Sequence, residues 1–243
     1  MTDTIAFAGP SIYGLDRSHF DQIEFRPPAA AGDILHAVRE RPIAIGVIDG
    51  VYGDVASIWH KEILYALTQG VTVAGAASMG ALRAAECQPF GMVGVGRIFA
   101  DYASGARTAD ADVAVVHSPA DLDFRPISVP LVDAEATLEG IAEHVSEHVL
   151  DRLKYAAKTL HFSRRTWKAI VSTAQGDADE ASDLVELLRQ SHRHIKRDDA
   201  LLLLQFLAAA DFHRREDTLA WTFQDTAFFR QLERRTTCKA YNT

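Results

Sequence analysis

The chain has 243 residues, 48% of them hydrophobic and 24% charged, a balance that lets a globular protein bury a sizeable core without disulfide help. A formal charge of −8 argues against a nucleic-acid-binding body, and no apolar run approaches the ~20 residues that span a bilayer, so neither nucleic acid nor membrane is an expected partner. Met1 to Ile5 carries neither a basic nor an apolar region of a signal peptide, and the two distant cysteines, Cys87 and Cys238, suit a reducing cytoplasm.

Residues 4–8 read as a short buried strand ending at Gly9-Pro10-Ser11, and Gln22 to Phe25 as a second run closed by Pro27-Pro28. Residues 32–40 are patterned as a helix, with Ile34, Leu35 and Val38 apolar and Asp33 in the first turn. Ile43 to Ile48 is apolar throughout, as in a parallel-sheet strand covered on both faces, and it ends at the loop Asp49 to Asp54. A helix over about residues 55–68 follows, stopped at Gln69-Gly70, and then a strand over 71–74. The alternation with short connections predicts an α/β fold: a βαβ-type core with a mainly parallel sheet over 1–132.

Beyond that unit, Gly91, Gly94 and Gly96 stand in the wrong order for a dinucleotide fingerprint and follow no strand, so a close-packed turn is expected and no cofactor. Ile98 to Tyr102 continue as helix to Gly105. Asp112 to Val116 reads as a further strand delivering His117-Ser118-Pro119, and residues 125–130 as an extended connector. From Asp133 onward only helical patterns occur, over 133–158, 162–173, 180–189 and 198–211, so residues 133–243 form a mostly helical C-terminal region. The basic run His192 to Arg197 reads as a solvated helix end.

Three loops leave predicted strand ends, where sites of parallel sheets form: Asp49 to Asp54, the turn at Ser78, and His117-Ser118. Ser78 stands where an apolar strand turns into a helix, with Gly75 three residues before it and Gly80 two after. Small residues there let a strained backbone pack tightly while the hydroxyl stays exposed, the logic of a nucleophile elbow. The first glycine lies one position too early for G-x-S-x-G, and serine is also a favoured helix N-cap, so Ser78 as a cap is the other reading. A nucleophilic Ser78 needs a base, for which His117 and His60 are the candidates, with Lys61 admissible only if burial lowers its pKa, and Asp49 stands with them as a further catalytic candidate. Backbone N–H groups of Gly50 or Val51 and of Met79 are candidate oxyanion donors. Asp49 and Asp54 lack a third ligand for a divalent ion, and no histidine pair, His144 and His148 included, is convincing for zinc, so no metal is expected.

Ile48 to Gly53, Trp59 to Leu64 and Gly75 to Glu86 together resemble the core of the TfuA-like proteins, and Phe90 to Phe99 and Val115 to Pro119 fit as well, over about residues 43–132. The resemblance implies a partner of YcaO proteins in ribosomal-peptide modification, particularly backbone thioamide formation. Its implied task is to recruit a ubiquitin-like sulfur carrier and release sulfide from the carrier's C-terminal thiocarboxylate. ATP-dependent activation of the precursor peptide would belong to YcaO. A shorter stretch, Ala77 to Ala81, is similar to the serine elbow of ClpP-type peptidases, which implies Ser78 as nucleophile and His117 as base. That resemblance leaves the third group unplaced, Asp133 being a guess, and the oxyanion loop here lacks a Gly-Gly pair. Two rival functions remain at this level: a non-catalytic adaptor that activates YcaO, with Ser78 capping its helix, and a stand-alone peptidase or esterase.

Overall fold

A computed structural model describes residues 3–53, 55–175, 181–209, 211–215 and 219–239. Five short strands, β1 (Thr4–Phe7), β2 (Ile23–Arg26), β3 (Ala44–Val47), β4 (Thr72–Gly75) and β5 (Val93–Gly94), make one sheet in the order β2-β1-β3-β4-β5. Every pairing is parallel, with Ile5 opposite both Glu24 and Ile45, and Ile45 opposite Val73. The chain moves outward from β1 to β2, then crosses back to lay β3 on the other side of β1. The crevice beyond the carboxyl ends of β1 and β3 is therefore a topological switch point, the place where open α/β sheets bind ligands.

Side chains alternate along the strands, and the two faces differ in bulk. Ile5, Phe7, Ile45, Val47 and Val73 pack against α1 (Asp33–Arg39), α2 (His60–Thr68) and α3 (Met79–Cys87). The opposite face carries Ala6, Ala44 and Ala74 and meets Leu203, Leu204 and Leu207 of α9 (Ile195–Ala209). At the centre of that face stands Gly46, where a Cβ would lie 2.5 Å from Leu207 Cδ1. Small residues on the sheet let this helix approach closely, so a late segment of the chain covers the face that the early helices leave open.

The other helices are α4 (Arg97–Ala103), α5 (Leu131–Gly140), α6 (Glu147–Thr159), α7 (Trp167–Gln175), α8 (Ala181–Gln190) and α10 (Ala227–Lys239). Residues of α5 to α8, among them Leu138, Leu153, Ile170 and Leu188, bury one another in a second core. Helix α10 lies on α1 through Leu35, Phe229 and Leu232. The fold is α/β with a helical C-terminal region, as expected, and no helix among the described residues is long and apolar enough to cross a membrane.

Several boundaries differ from the sequence reading. Asp112 to Val116 is not a strand: a 3-10 turn covers Asp110–Asp112, and Val113 is buried among Ala81, Leu82, Ile98 and Val132. The Val116 N–H donates to Ser128 Oγ at 2.9 Å, not to a sheet neighbour. The fifth strand lies instead in the glycine segment where a turn was expected, and Gly94 leaves room for the Phe99 ring, 2.1 Å from where its Cβ would be. The helix expected from residue 55 begins at His60, because the Glu62 carboxylate accepts the Trp59 N–H at 3.1 Å and fixes the start there. The long helix over 133–158 is two, broken after Gly140 and restarted where Ser146 Oγ accepts the Val149 N–H at 3.4 Å. The helix expected from Phe162 begins at Trp167 after a 3-10 turn, α9 begins at Ile195, and α10 was not anticipated.

Candidate active site

Strand β4 ends in a turn whose geometry the sequence dictates residue by residue. The Ser78 N–H donates to the Ala76 carbonyl at 2.8 Å, closing a tight turn at Ala77, whose φ of 67° is strained for a non-glycine residue. The Gly80 N–H then donates to the Ile48 carbonyl at 3.2 Å, and a Cβ on Gly80 would lie 1.7 Å from the Val47 carbonyl oxygen. Likewise a Cβ on Gly75 would lie 2.1 Å from the Gly80 carbonyl oxygen. Only glycine at both positions allows the first turn of α3 to press onto the end of β3.

Ser78 occupies the N-cap position of α3, yet its hydroxyl makes no capping hydrogen bond. It is buried and lines a cavity of about 220 Å³ together with Asp49, Gly50, Tyr52, His117 and Phe162. The structure thus brings Ser78 and His117 to one cavity, although His117 arrives on a loop and not at a strand end. His117 Nδ1 is 2.7 Å from the Ser118 carbonyl oxygen, and its ring meets Phe124 edge-on at 5.6 Å. Burial pushes the Tyr52 hydroxyl well above its ordinary pKa, so it stays protonated in the cavity wall.

The Val51 N–H donates to the Ala29 carbonyl at 3.0 Å and is thereby committed. The N–H groups of Gly50 and Met79 donate to no acceptor among the described residues. These two residues also touch, since a Cβ on Gly50 would lie 2.7 Å from Met79 Cγ and 2.8 Å from Met79 Cβ. Two uncommitted donors therefore flank the Ser78 turn, one on it and one on the loop after the preceding strand.

Asp49 is fully engaged inside the protein. Its Oδ2 accepts the N–H groups of Gly9 at 2.9 Å and Ser11 at 3.0 Å, and its Oδ1 accepts the Ser11 hydroxyl at 2.6 Å. These bonds tie the loop after β1 to the loop after β3 across the switch point. Lys196 of α9 places its Nζ 3.9 Å from Asp49 Oδ1 while donating to the Val113 carbonyl at 2.8 Å. Burial lowers the Lys196 pKa against the opposing pull of Asp49 and Asp133. Neither Ser11 nor Lys196 was anticipated: Lys196 falls in the basic run read as a solvated helix end, yet its side chain is buried. Asp54, weighed with Asp49 as a metal ligand, lies outside the described residues.

The remaining candidates lie elsewhere. His60 is half-exposed, with Nε2 2.7 Å from Glu86 Oε2, and it is not among the residues lining the Ser78 cavity. Arg83 holds the same Glu86 oxygen at 2.7 Å. Burial raises the Glu86 pKa, but the bonds from His60 and Arg83 outweigh it and leave the carboxyl below its ordinary value. The Lys61 ammonium donates to the Gln224 carbonyl and sits 4.9 Å from the Phe223 ring centroid, and it is not among the residues lining the Ser78 cavity. Asp133 faces α9: its Oδ1 accepts the Lys196 N–H at 3.1 Å, and it lines a neighbouring cavity instead of the one holding His117. His144 and His148 are both exposed, and His144 precedes α6 instead of sharing it.

No curated protein matches the chain. Residues 49–166 match the family described as TfuA-like protein. That stretch holds the Asp49-Gly50 loop, the Ser78 turn and His117, and leaves Ser11 and Lys196 on either side. Over residues 49–166, then, the chain is similar to the TfuA-like family.

Proposed function

We propose that this TfuA-like protein serves a YcaO partner in backbone thioamidation of a ribosomal peptide, supplying sulfide by hydrolysing the C-terminal thiocarboxylate of a ubiquitin-like sulfur carrier. The TfuA-like match over residues 49–166 supports the link to YcaO. The hydrolytic half rests on one observation: a serine with no capping bond shares a cavity with a histidine and is flanked by two uncommitted N–H groups.

In this reading His117 takes the proton of Ser78 Oγ as the oxygen attacks the thiocarboxylate carbon. The N–H groups of Gly50 and Met79 hold the oxyanion of the tetrahedral intermediate. Its collapse breaks the carbon–sulfur bond, protonated His117 gives its proton to the departing sulfur so that hydrosulfide leaves, and an ester joins the carrier to Ser78. Water, deprotonated by His117, cleaves that ester to the free carboxylate and restores the serine. The sum is thiocarboxylate plus water giving carboxylate plus hydrogen sulfide, with no redox change. Release beside a docked partner keeps the local sulfide concentration high.

The test is sulfide release from a thiocarboxylated carrier by the wild type and by Ser78→Ala. A loss of ~10³-fold or more is expected, the scale on which serine nucleophiles act. Unchanged release by a folded Ser78→Ala protein would overturn the nucleophile and leave the adaptor role, in which the protein docks the carrier and activates YcaO. Full turnover of small acyl esters without a partner would instead favour a stand-alone esterase.

A further inference from the structure

Beside the Ser78 cavity, and sharing Pro10 and Val115 with it, lies a second one of about 320 Å³. Three potential ligands converge on its wall: Asp133 from the first turn of α5, and His192 and His194 from the turn between α8 and α9. One ligand atom from each lies within 4.8 Å of the others. Ligands bound to zinc at about 2.0–2.1 Å in a tetrahedron stand about 3.4 Å apart, so the set must draw in by little more than about 1 Å to hold the ion.

His192 Nε2 is buried and has no hydrogen-bond partner among the described residues. The nearest carboxylate oxygen, Asp133 Oδ2, is 3.7 Å away, too far for a hydrogen bond. A buried ring nitrogen without a partner costs free energy, and a cation seated between it and Asp133 removes that cost. The surroundings hold the donors in place. The His192 ring stacks on His194 at 4.0 Å between centroids and meets Trp167 edge-on at 5.2 Å. Asp133 Oδ1 is engaged by the Lys196 N–H, which orients the carboxylate and leaves Oδ2 available.

We propose that Asp133, His192 and His194 form a binding site for a divalent transition-metal ion, zinc being the closest chemical fit. Two imidazoles and one carboxylate disfavour magnesium and calcium, which take oxygen ligands. Three protein ligands on a cavity wall leave the fourth position open to water or to a small anion from the cavity, the pattern of catalytic zinc and not of structural zinc. This site is independent of the Ser78 reading. It was invisible as a pattern, because only His192 and His194 are close in sequence and their spacing sits inside a run of basic residues.

The experiment is a titration of the untagged full chain, freed of metal by chelator, first with Co²⁺ followed by visible absorption and then with Zn²⁺ against a chromogenic chelator. One equivalent is expected, with ligand-field bands of low coordination number and no thiolate charge-transfer band. His194→Ala and the His192→Ala/His194→Ala double variant should bind Zn²⁺ roughly 100-fold more weakly or worse. Circular dichroism confirms their folding, and His148→Ala serves as a control that should bind like the wild type. Because Asp133 is buried, Asp133→Asn is read only after the histidine variants. No binding by the wild type at micromolar Zn²⁺ overturns the site, as does wild-type binding by the double variant.

Discussion

His117 Nδ1 lies 2.7 Å from the carbonyl oxygen of Ser118, its neighbour in the chain. A carbonyl can only accept, so this bond puts the ring proton on Nδ1 and leaves Nε2 with a lone pair. In the mechanism proposed above, this peptide group would take the orienting place that a carboxylate holds in a serine-hydrolase triad. If His117 is the base, His117→Ala should lower thiocarboxylate turnover by about 10²–10⁴-fold with little change in KM, the range of general base catalysis. His60→Ala, which removes only a surface pair with Glu86, should change turnover less than about twofold. Steady-state kinetics on the carrier decide it, and the reverse pattern makes His60 the base.

The two glycines beside the elbow should fail in different ways. Gly80→Ala forces a Cβ against backbone, 1.7 Å from the Val47 carbonyl oxygen, and a helix turn must leave the sheet. It should destabilise the protein by more than about 3 kcal/mol in denaturant melts, at the exceptional end for single substitutions. Gly50→Ala meets chiefly the Met79 side chain at 2.7–2.8 Å, which can shift. Its cost in stability should be about 1–2 kcal/mol. Turnover should fall by about 10²-fold or more, because the shift moves one of the two proposed oxyanion donors. Equal losses of stability in both variants would remove the distinction.

Gly46 and Leu207 should be coupled. Gly46→Ala overpacks the contact with Leu207 Cδ1 at 2.5 Å and should cost about 1–3 kcal/mol. Leu207→Ala opens a cavity and should cost about 2–5 kcal/mol. The double variant should be at least about 1 kcal/mol more stable than the sum of the two losses, since the new methyl enters the space that the leucine vacates. A double-mutant cycle from urea melts measures it, and strict additivity would mean that α9 does not rest on Gly46.

Glu62 gives the fold a pH dependence. It is fully buried and accepts the N–H groups of Gly32 at 2.8 Å and Trp59 at 3.1 Å. Burial nevertheless raises its pKa from 4.5 to about 7, the bonds from Trp59 and Gly32 only partly offsetting it. The folded protein therefore holds this proton more tightly than the unfolded chain. The resulting stabilisation is complete below pH 4.5 and is lost as pH rises through about 7. Glu62→Gln, which does not titrate, should gain up to about 3 kcal/mol relative to the wild type between pH 4.5 and 8. Denaturant melts of both proteins across that range measure the gain; a constant difference would place the Glu62 pKa near its ordinary value.

What the sequence made legible was what local pattern controls. Ile43 to Ile48 and Val71 to Ala74 are apolar runs with glycine stops, and they are β3 and β4. The Ser78 turn could be read because its small residues stand next to one another. Strand β5 was hidden because two residues, one of them glycine, carry no periodicity. Asp112 to Val116 misled because Val113 and Ala114 are buried as strand residues would be, but against helices. The break after Gly140 was masked because α5 and α6 contribute to one core, so apolar spacing runs through the gap. Asp49 was found for its position at a strand end, yet its partners Ser11 and Lys196 come from opposite ends of the chain. Pairings of that kind leave no local trace.

Helix α9 adds an order in time to the geometry. Residues 195–209 supply the leucines that cover Ala6, Ala44, Gly46 and Ala74, and the lysine that reaches Asp49. On the ribosome the β strands and the Ser78 turn are made long before that helix exists. Until it arrives, one face of the sheet stands open to water and to other chains, the state in which nascent α/β domains are most exposed to misassembly. A product ended before α9 would lack the leucines that cover this face, and it should aggregate more readily than the full chain.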